Sequence, residues 1–257
     1  MRAEPPPIDP PPADAPPHAP PPQRRWWGAR WYRLPYVTTN VIFFDWIRTR
    51  LTPESVVLDA GAGTAPLDPV RRLRGQVARV CGIDVDPAVL ANNALDEARV
   101  VTGYEWPYPD KTFDAAVSDY VLEHVADPAA YFAEVRRVLR AGAPFFFRTV
   151  NALHPGTALG RCLSLGAFAW LIHRMDPASR DHHDPYPAVW RANTAGRLRR
   201  LLGEAGFAAV DLRRREEPPT YLAGLGPFAM AGVAWERVAN AVPCFAPLRV
   251  TLYGCAT

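Results

Sequence analysis

The chain has 257 residues, enough for one large α/β domain or two small ones, and well above the size at which a core sustains itself. Nearly half the residues are apolar and the formal charge is only +3, so a folded globular protein is expected and no charge argument demands a nucleic-acid partner. Of the 29 cations 28 are arginine, Lys111 being the only lysine, which with abundant Ala and Pro reads as GC-rich codon usage. Arg136, Arg137, Arg140 and the run Arg213, Arg214, Arg215 are therefore read as solvated faces rather than as ligand contacts.

Cys81, Cys162, Cys244 and Cys255 form no CxxC pair and no Cys/His metal spacing, so no metal is expected and a reducing, cytoplasmic setting fits. The N-terminus lacks the apolar core of a secretory signal, and no run approaches the roughly 20 apolar residues that span a bilayer.

Residues 1–23 hold 11 prolines and little that could enter a core; they read as a disordered, polyproline-like tail. From Arg24 to Arg50 aromatics are dense, and Asn40–Arg50 has the pattern of an amphipathic helix covering the sheet edge. Ser55–Asp59 is a short apolar strand ending in a Gly-rich turn. Asp68 then caps a helix with Pro69 in its first turn and its end near Arg74. Val77–Asp84 is the second strand, followed by a helix from Pro87 to about Asn93. Arg99–Thr102 is a weak third strand and Phe113–Ser118 a fourth. Pro128–Arg140 is strongly amphipathic and stops at Gly142. Ala143–Val150 is a continuously apolar fifth strand, to be covered on both faces. Thr194 caps a helix through Ala205, Phe207–Leu212 makes a sixth strand, and Leu248–Cys255 supplies a seventh. This alternation predicts a single domain over 24–257, with a doubly wound, mostly parallel sheet. The stretches 152–192 and 218–245 exceed ordinary connections and read as substrate-cover insertions.

The chemical signal is Val56-Val57-Leu58-Asp59-Ala60-Gly61-Ala62-Gly63-Thr64. A buried strand delivers a turn whose two glycines leave room for a ligand against the backbone, at the sheet edge where open α/β folds bind ligands. Asp84 ends the next strand, 23 residues after Gly61, where its carboxylate can accept both hydroxyls of a ribose. A dinucleotide site would show GxGxxG, but Ala65 and Pro66 follow Thr64 here, so a nicotinamide oxidoreductase is disfavoured. Asp59 before the loop is ill placed for a pyrophosphate and well placed for an ammonium or sulfonium.

VLDAGAGTA, GIDVDP, WPYPDKTFDAAVSDYVLEHV and RRVLRAGAPFFFRTVN resemble, in order, the motifs of class I S-adenosylmethionine (SAM) dependent methyltransferases, nearest the group that includes the ubiquinone/menaquinone methyltransferases. The resemblance covers residues 50–151 closely and the rest more loosely. It implies a Rossmann-like seven-stranded sheet with its last strand antiparallel, a lid insertion, and SAM as cofactor. It further implies that Gly61 and Gly63 face the methionine part of SAM with Asp59 beneath its amino group. Asp84 would then hold the ribose, Val85 would pack on the adenine, Glu105 and Trp106 would line the adenine pocket, and Asp119 and Tyr120 would border the methyl group. Two positions depart from the pattern: Ala65 replaces the last glycine of the first motif, and Thr102 replaces an acid after the third strand.

His124, in Leu122-Glu123-His124-Val125, and His154, after the fifth strand, are the candidate bases or acceptor contacts. Asp181-His182-His183-Asp184 reads as a polar loop, since consecutive residues do not converge readily on one ion. The leading expectation is methyl transfer to a small, partly apolar acceptor at oxygen. Its alternative is a catalytically inactive SAM-fold protein that serves as a binding partner. Peripheral membrane contact through 221–235 is a further expectation, set against simple packing under the lid. No nucleic-acid module and no obligate protein partner can be read from the sequence.

Overall fold

The computed structural model of the chain describes residues 38–66, 68–161, 187–219, 222 and 229–257. The Pro-rich tail, the aromatics up to Tyr36, the Asp181–Asp184 run and residues 221 and 223–228 lie outside the described residues.

Thr38 caps the first helix, α1 (Thr39–Arg48), which lays Phe43, Phe44, Trp46 and Ile47 against the sheet. The strands follow as β1 (Val56–Ala60), β2 (Arg79–Asp84), β3 (Glu97–Val100), β4 (Ala115–Asp119) and β5 (Phe145–Val150), then β6 (Val210–Arg215) and β7 (Thr251–Ala256). Their order is β3-β2-β1-β4-β5-β7-β6. β1 to β5 pair in parallel, and β7 runs antiparallel to both β5 and β6. The Rossmann-like sheet and its antiparallel last strand are as expected, the strand bounds differing by one to three residues.

Alternation along the strands divides two cores. Leu58, Ala60, Ala116, Phe145 and Phe147 meet α2 (Pro128–Val138) and α4 (Ala195–Glu204) through Phe132, Val135, Leu198 and Leu202. Val57, Val117, Phe146 and Cys255 meet α1 on the opposite face. Burying each of these phenylalanines contributes about 1.5–3 kcal/mol. Trp46 packs edge-on against Phe146 at 5.7 Å, which fixes α1 over the centre of the sheet.

The crossovers after β1 and β2 differ from expectation. In place of helices stand single 3-10 turns, Pro69–Arg71 and Pro87–Ala91, although Asp68 and Asp86 do cap them. Six residues separate Asp68 from Gly75, too few to offset helix nucleation. A short α3 (Pro155–Arg161) follows β5, and α5 (Ala229–Ala241) lies between β6 and β7, where the sequence predicts only an apolar cover. Among the described residues no helix is long and apolar enough to cross a membrane.

Candidate active site

The loop after β1 is pinned to β2. Gly61 and Ala62 both donate to the carbonyl of Ile83, at 2.8 and 3.0 Å. Asn92 donates from its side-chain nitrogen to the carbonyls of Ala62 and Gly63, clasping the loop from the far side. Gly61 and Gly63 have φ of 88° and 50°, the left-handed region that favours glycine. They differ in what they face. A Cβ at Gly61 would lie 2.2 Å from Cγ2 of Val121, so this glycine makes room for the protein's own side chain. At Gly63 the nearest atom would be Oδ2 of Asp84, at 3.9 Å. Val121 thus occupies the space above the Gly61 Cα, while Gly63 is open toward Asp84.

Asp84 reaches back over the loop. Its Oδ2 accepts from Gly63 N at 2.8 Å and its Oδ1 from Asp86 N at 2.9 Å. A carboxylate has about four acceptor sites, so capacity remains for a diol. Val85 beside it is 61% exposed, an apolar shelf at the sheet edge. Trp106 is not part of that shelf. Its ring is buried 5.4 Å from Tyr131, its backbone N–H donates to Oε1 of Glu134 at 2.7 Å, and Glu105 is left exposed. Expected to line an adenine pocket, Trp106 has its ring packed in the core beside Tyr131.

On the α1 face of β1 a hollow with about 20 Å³ of free space is lined by Asp59, Arg71, Asn92, Phe44, Pro66 and Val117, among others. Burial pushes the Asp59 carboxyl from 3.8 up to about 7; Arg71 opposes the shift, while Asp119 and Asp84 add to it. Asp119 sits between two cations. Arg148 donates from Nε and from a terminal nitrogen at 2.6 and 2.8 Å, and Arg71 lies 2.9 Å away. Arg148 also donates to Asn40 of α1, whose amide nitrogen donates to Asp68. This chain of bonds joins α1, the loop and β4. Tyr120, with φ of 58°, lays its ring over Arg148 at 4.6 Å while staying 37% exposed. Asp119 and Tyr120 therefore stand at the end of β4 as expected, but the Asp119 carboxylate is neutralised by the protein.

The two histidines occupy different places. Nδ1 of His124 is 3.3 Å from the carbonyl of Pro187. His154 is buried beyond β5, with Nε2 3.2 Å from Oε1 of Glu216 at an angle too poor for a hydrogen bond, and with Trp235 of α5 alongside. Among the described residues Nδ1 of His154 has no hydrogen-bond partner; it lies beside Gly156, where a Cβ would come within 3.2 Å of it. Between the histidines runs a buried polar chain: Asn193 donates to Thr149 at 2.7 Å, and Thr149 to Glu123 at 2.7 Å. Burial pushes the Glu123 carboxyl up despite that bond.

Arg71, Asn92, Glu123 and Glu216 were not foreseen. Arg71 is one of 28 near-uniform arginines, and Glu216 follows a run read as a solvated face. Only tertiary contacts single them out. Among the described residues no group of His, Cys, Asp and Glu could hold a metal ion.

Residues 58–147 match the family model described as a methyltransferase domain. A ubiquinone biosynthesis O-methyltransferase of Hahella chejuensis is 34% identical over 137 residues, which cover 49% of this chain and 57% of that protein. The chain thus spans little more than half the length of the curated relatives it matches. Two solved structures share the fold. The Haloferax volcanii complex of the Trm112 methyltransferase activator with a putative methyltransferase matches with TM-score 0.54 and 18% identity, over 84% of this chain and 87% of that one. The cyclase SpnF matches with TM-score 0.52 and 20% identity, over 83% and 79% of the two chains.

Proposed function

We propose that this chain, which carries a class I SAM-dependent methyltransferase domain, transfers the methyl group of SAM to an oxygen of a small, partly apolar acceptor. The observation that carries the reading is the loop. Gly63 is open toward Asp84, Asp84 is tethered to Gly63 and Asp86 with acceptor capacity to spare, and Asp59 lines the hollow next to them.

The residues present fit that cofactor. Asp84 would take the ribose hydroxyls, Val85 the adenine face, and Asp59 the ammonium, whose charge would favour the ionised carboxylate. Asp119 and Tyr120 would border the reacting methyl. When bound, SAM supplies an electrophilic methyl on a sulfonium. The chain's own task is alignment and exclusion of water, effects that supply about 7–11 kcal/mol where geometry is good. An acceptor hydroxyl that stays protonated near neutral pH also needs a base. His154 is proposed for that role, with Nδ1, which has no hydrogen-bond partner among the described residues, as the nitrogen that would take the proton. His124 is proposed as a second acceptor contact. The curated relatives' names support oxygen as the methylated atom, and a quinone-like acceptor is the substrate class they suggest for this chain.

Isothermal calorimetry with SAM and S-adenosylhomocysteine tests the cofactor half: folded protein that binds neither below about millimolar sinks it. A second reading, a silent binding protein of this fold, is favoured by Val121 over Gly61 and by the narrowness of the hollow. Release of S-adenosylhomocysteine from labelled SAM with a panel of phenolic acceptors separates the two.

A further inference from the structure

We propose that Arg71 is the counter-ion for the carboxylate at the amino-acid end of the cofactor, so that Arg71 and Asp59 together read a zwitterion; this rests on the SAM reading above. Three observations lead there. First, the hollow is lined by one carboxylate and one guanidinium, Asp59 and Arg71, with Asn92 already spent on Ala62, Gly63 and Ala94. An α-amino acid carries the two complementary charges on one carbon. Second, Nε of Arg71 is buried and has no hydrogen-bond partner among the described residues, a donor left unsatisfied at the wall of that hollow. Third, Pro69–Arg71 is a single 3-10 turn. It offers little of the aligned-peptide charge that a full helix starting here would direct at an anion, and the arginine side chain supplies the positive charge instead.

The other cations nearby are committed. Arg148 is held by Asp119 and Asn40, Arg48 by Asp45, Gln76 and the carbonyl of Val70, and Arg72 by the carbonyl of Pro66. Among the described residues Arg71 is ion-paired with Asp119, which keeps two bonds from Arg148 if Arg71 turns away. Arg71 is also 37% exposed along its side chain, so it reaches the hollow from its mouth. The ammonium would sit inward at Asp59 and the carboxylate outward at Arg71.

The test compares ligands that share the nucleoside and differ at the amino-acid end, by calorimetry. Wild-type protein should bind S-adenosylhomocysteine at least about 10-fold more tightly than 5′-methylthioadenosine, and SAM at least about 10-fold more tightly than decarboxylated SAM. Arg71→Gln should weaken S-adenosylhomocysteine about 10- to 100-fold and leave 5′-methylthioadenosine within about twofold. Arg71→Lys should recover part of the loss. If wild type binds none of the four ligands, the SAM reading itself fails. If SAM and decarboxylated SAM bind alike, or Arg71→Gln weakens both nucleosides equally, the reading stands and the role of Arg71 is overturned. The decarboxylated pair needs no variant, so a misfolded Arg71→Gln leaves the test intact.

Discussion

Asp59→Asn should make the protein more stable at pH 8 while weakening its grip on SAM. Burial lifts the Asp59 carboxyl from 3.8 to about 7 in the folded chain. Between those values the folded state holds a proton that the unfolded state has released, so stability falls as pH rises through the window. At about 1.4 kcal/mol per unit, the raised pKa of Asp59 costs the fold about 1.5 kcal/mol at pH 5 and about 4 kcal/mol at pH 8. Asparagine does not titrate. The stability difference between variant and wild type should therefore shift in the variant's favour by about 2.5 kcal/mol from pH 5 to pH 8, equivalent to roughly 5–10 °C in melting temperature. Urea unfolding of both proteins at pH 5, 6, 7 and 8 reads this directly. The change between pH values is the diagnostic, because any packing cost of the amide is constant. A difference that stays flat from pH 5 to pH 8 refutes the argument, whatever its sign. The same carboxylate explains why SAM should bind more tightly to wild type at pH 8 than at pH 6, a gain the variant should lack.

Gly61→Ala meets both a φ of 88° and Val121 at 2.2 Å, and should lose at least about 1–3 kcal/mol in chemical denaturation, whereas Gly61→Ala with Val121→Ala should lose less. Asp84→Asn keeps a hydrogen-bond acceptor for Gly63 but gives up the charge; calorimetry should show S-adenosylhomocysteine weakened about 10- to 100-fold with little change in melting temperature. Phe146→Ala removes a fully buried ring between β5 and Trp46 and should cost about 3–5 kcal/mol by urea titration. His154→Ala removes a buried ring packed beside Trp235 and should cost about 2–5 kcal/mol, also by urea titration.

Much of this protein follows from local pattern. The runs Val56–Ala60 and Phe145–Val150 could only be covered strands, Asp127 and Thr194 cap the helices that the periodicity predicts, and Gly61, Gly63 and Asp84 stand out as a candidate loop by residue type and spacing alone. These features depend on neighbours within a few residues, which a sequence displays. What each side chain does across the fold was decided by packing. Trp106 belongs to the core because Tyr131 and Glu134 meet it there, and Gly61 yields its space to Val121, from a different loop. The turn at Pro69–Arg71 never lengthens into a helix, and so a single arginine among many is set at the mouth of the hollow beside Asp59. Charge pairing and burial act between residues far apart in the chain, and their outcome exists only once the strands are in register.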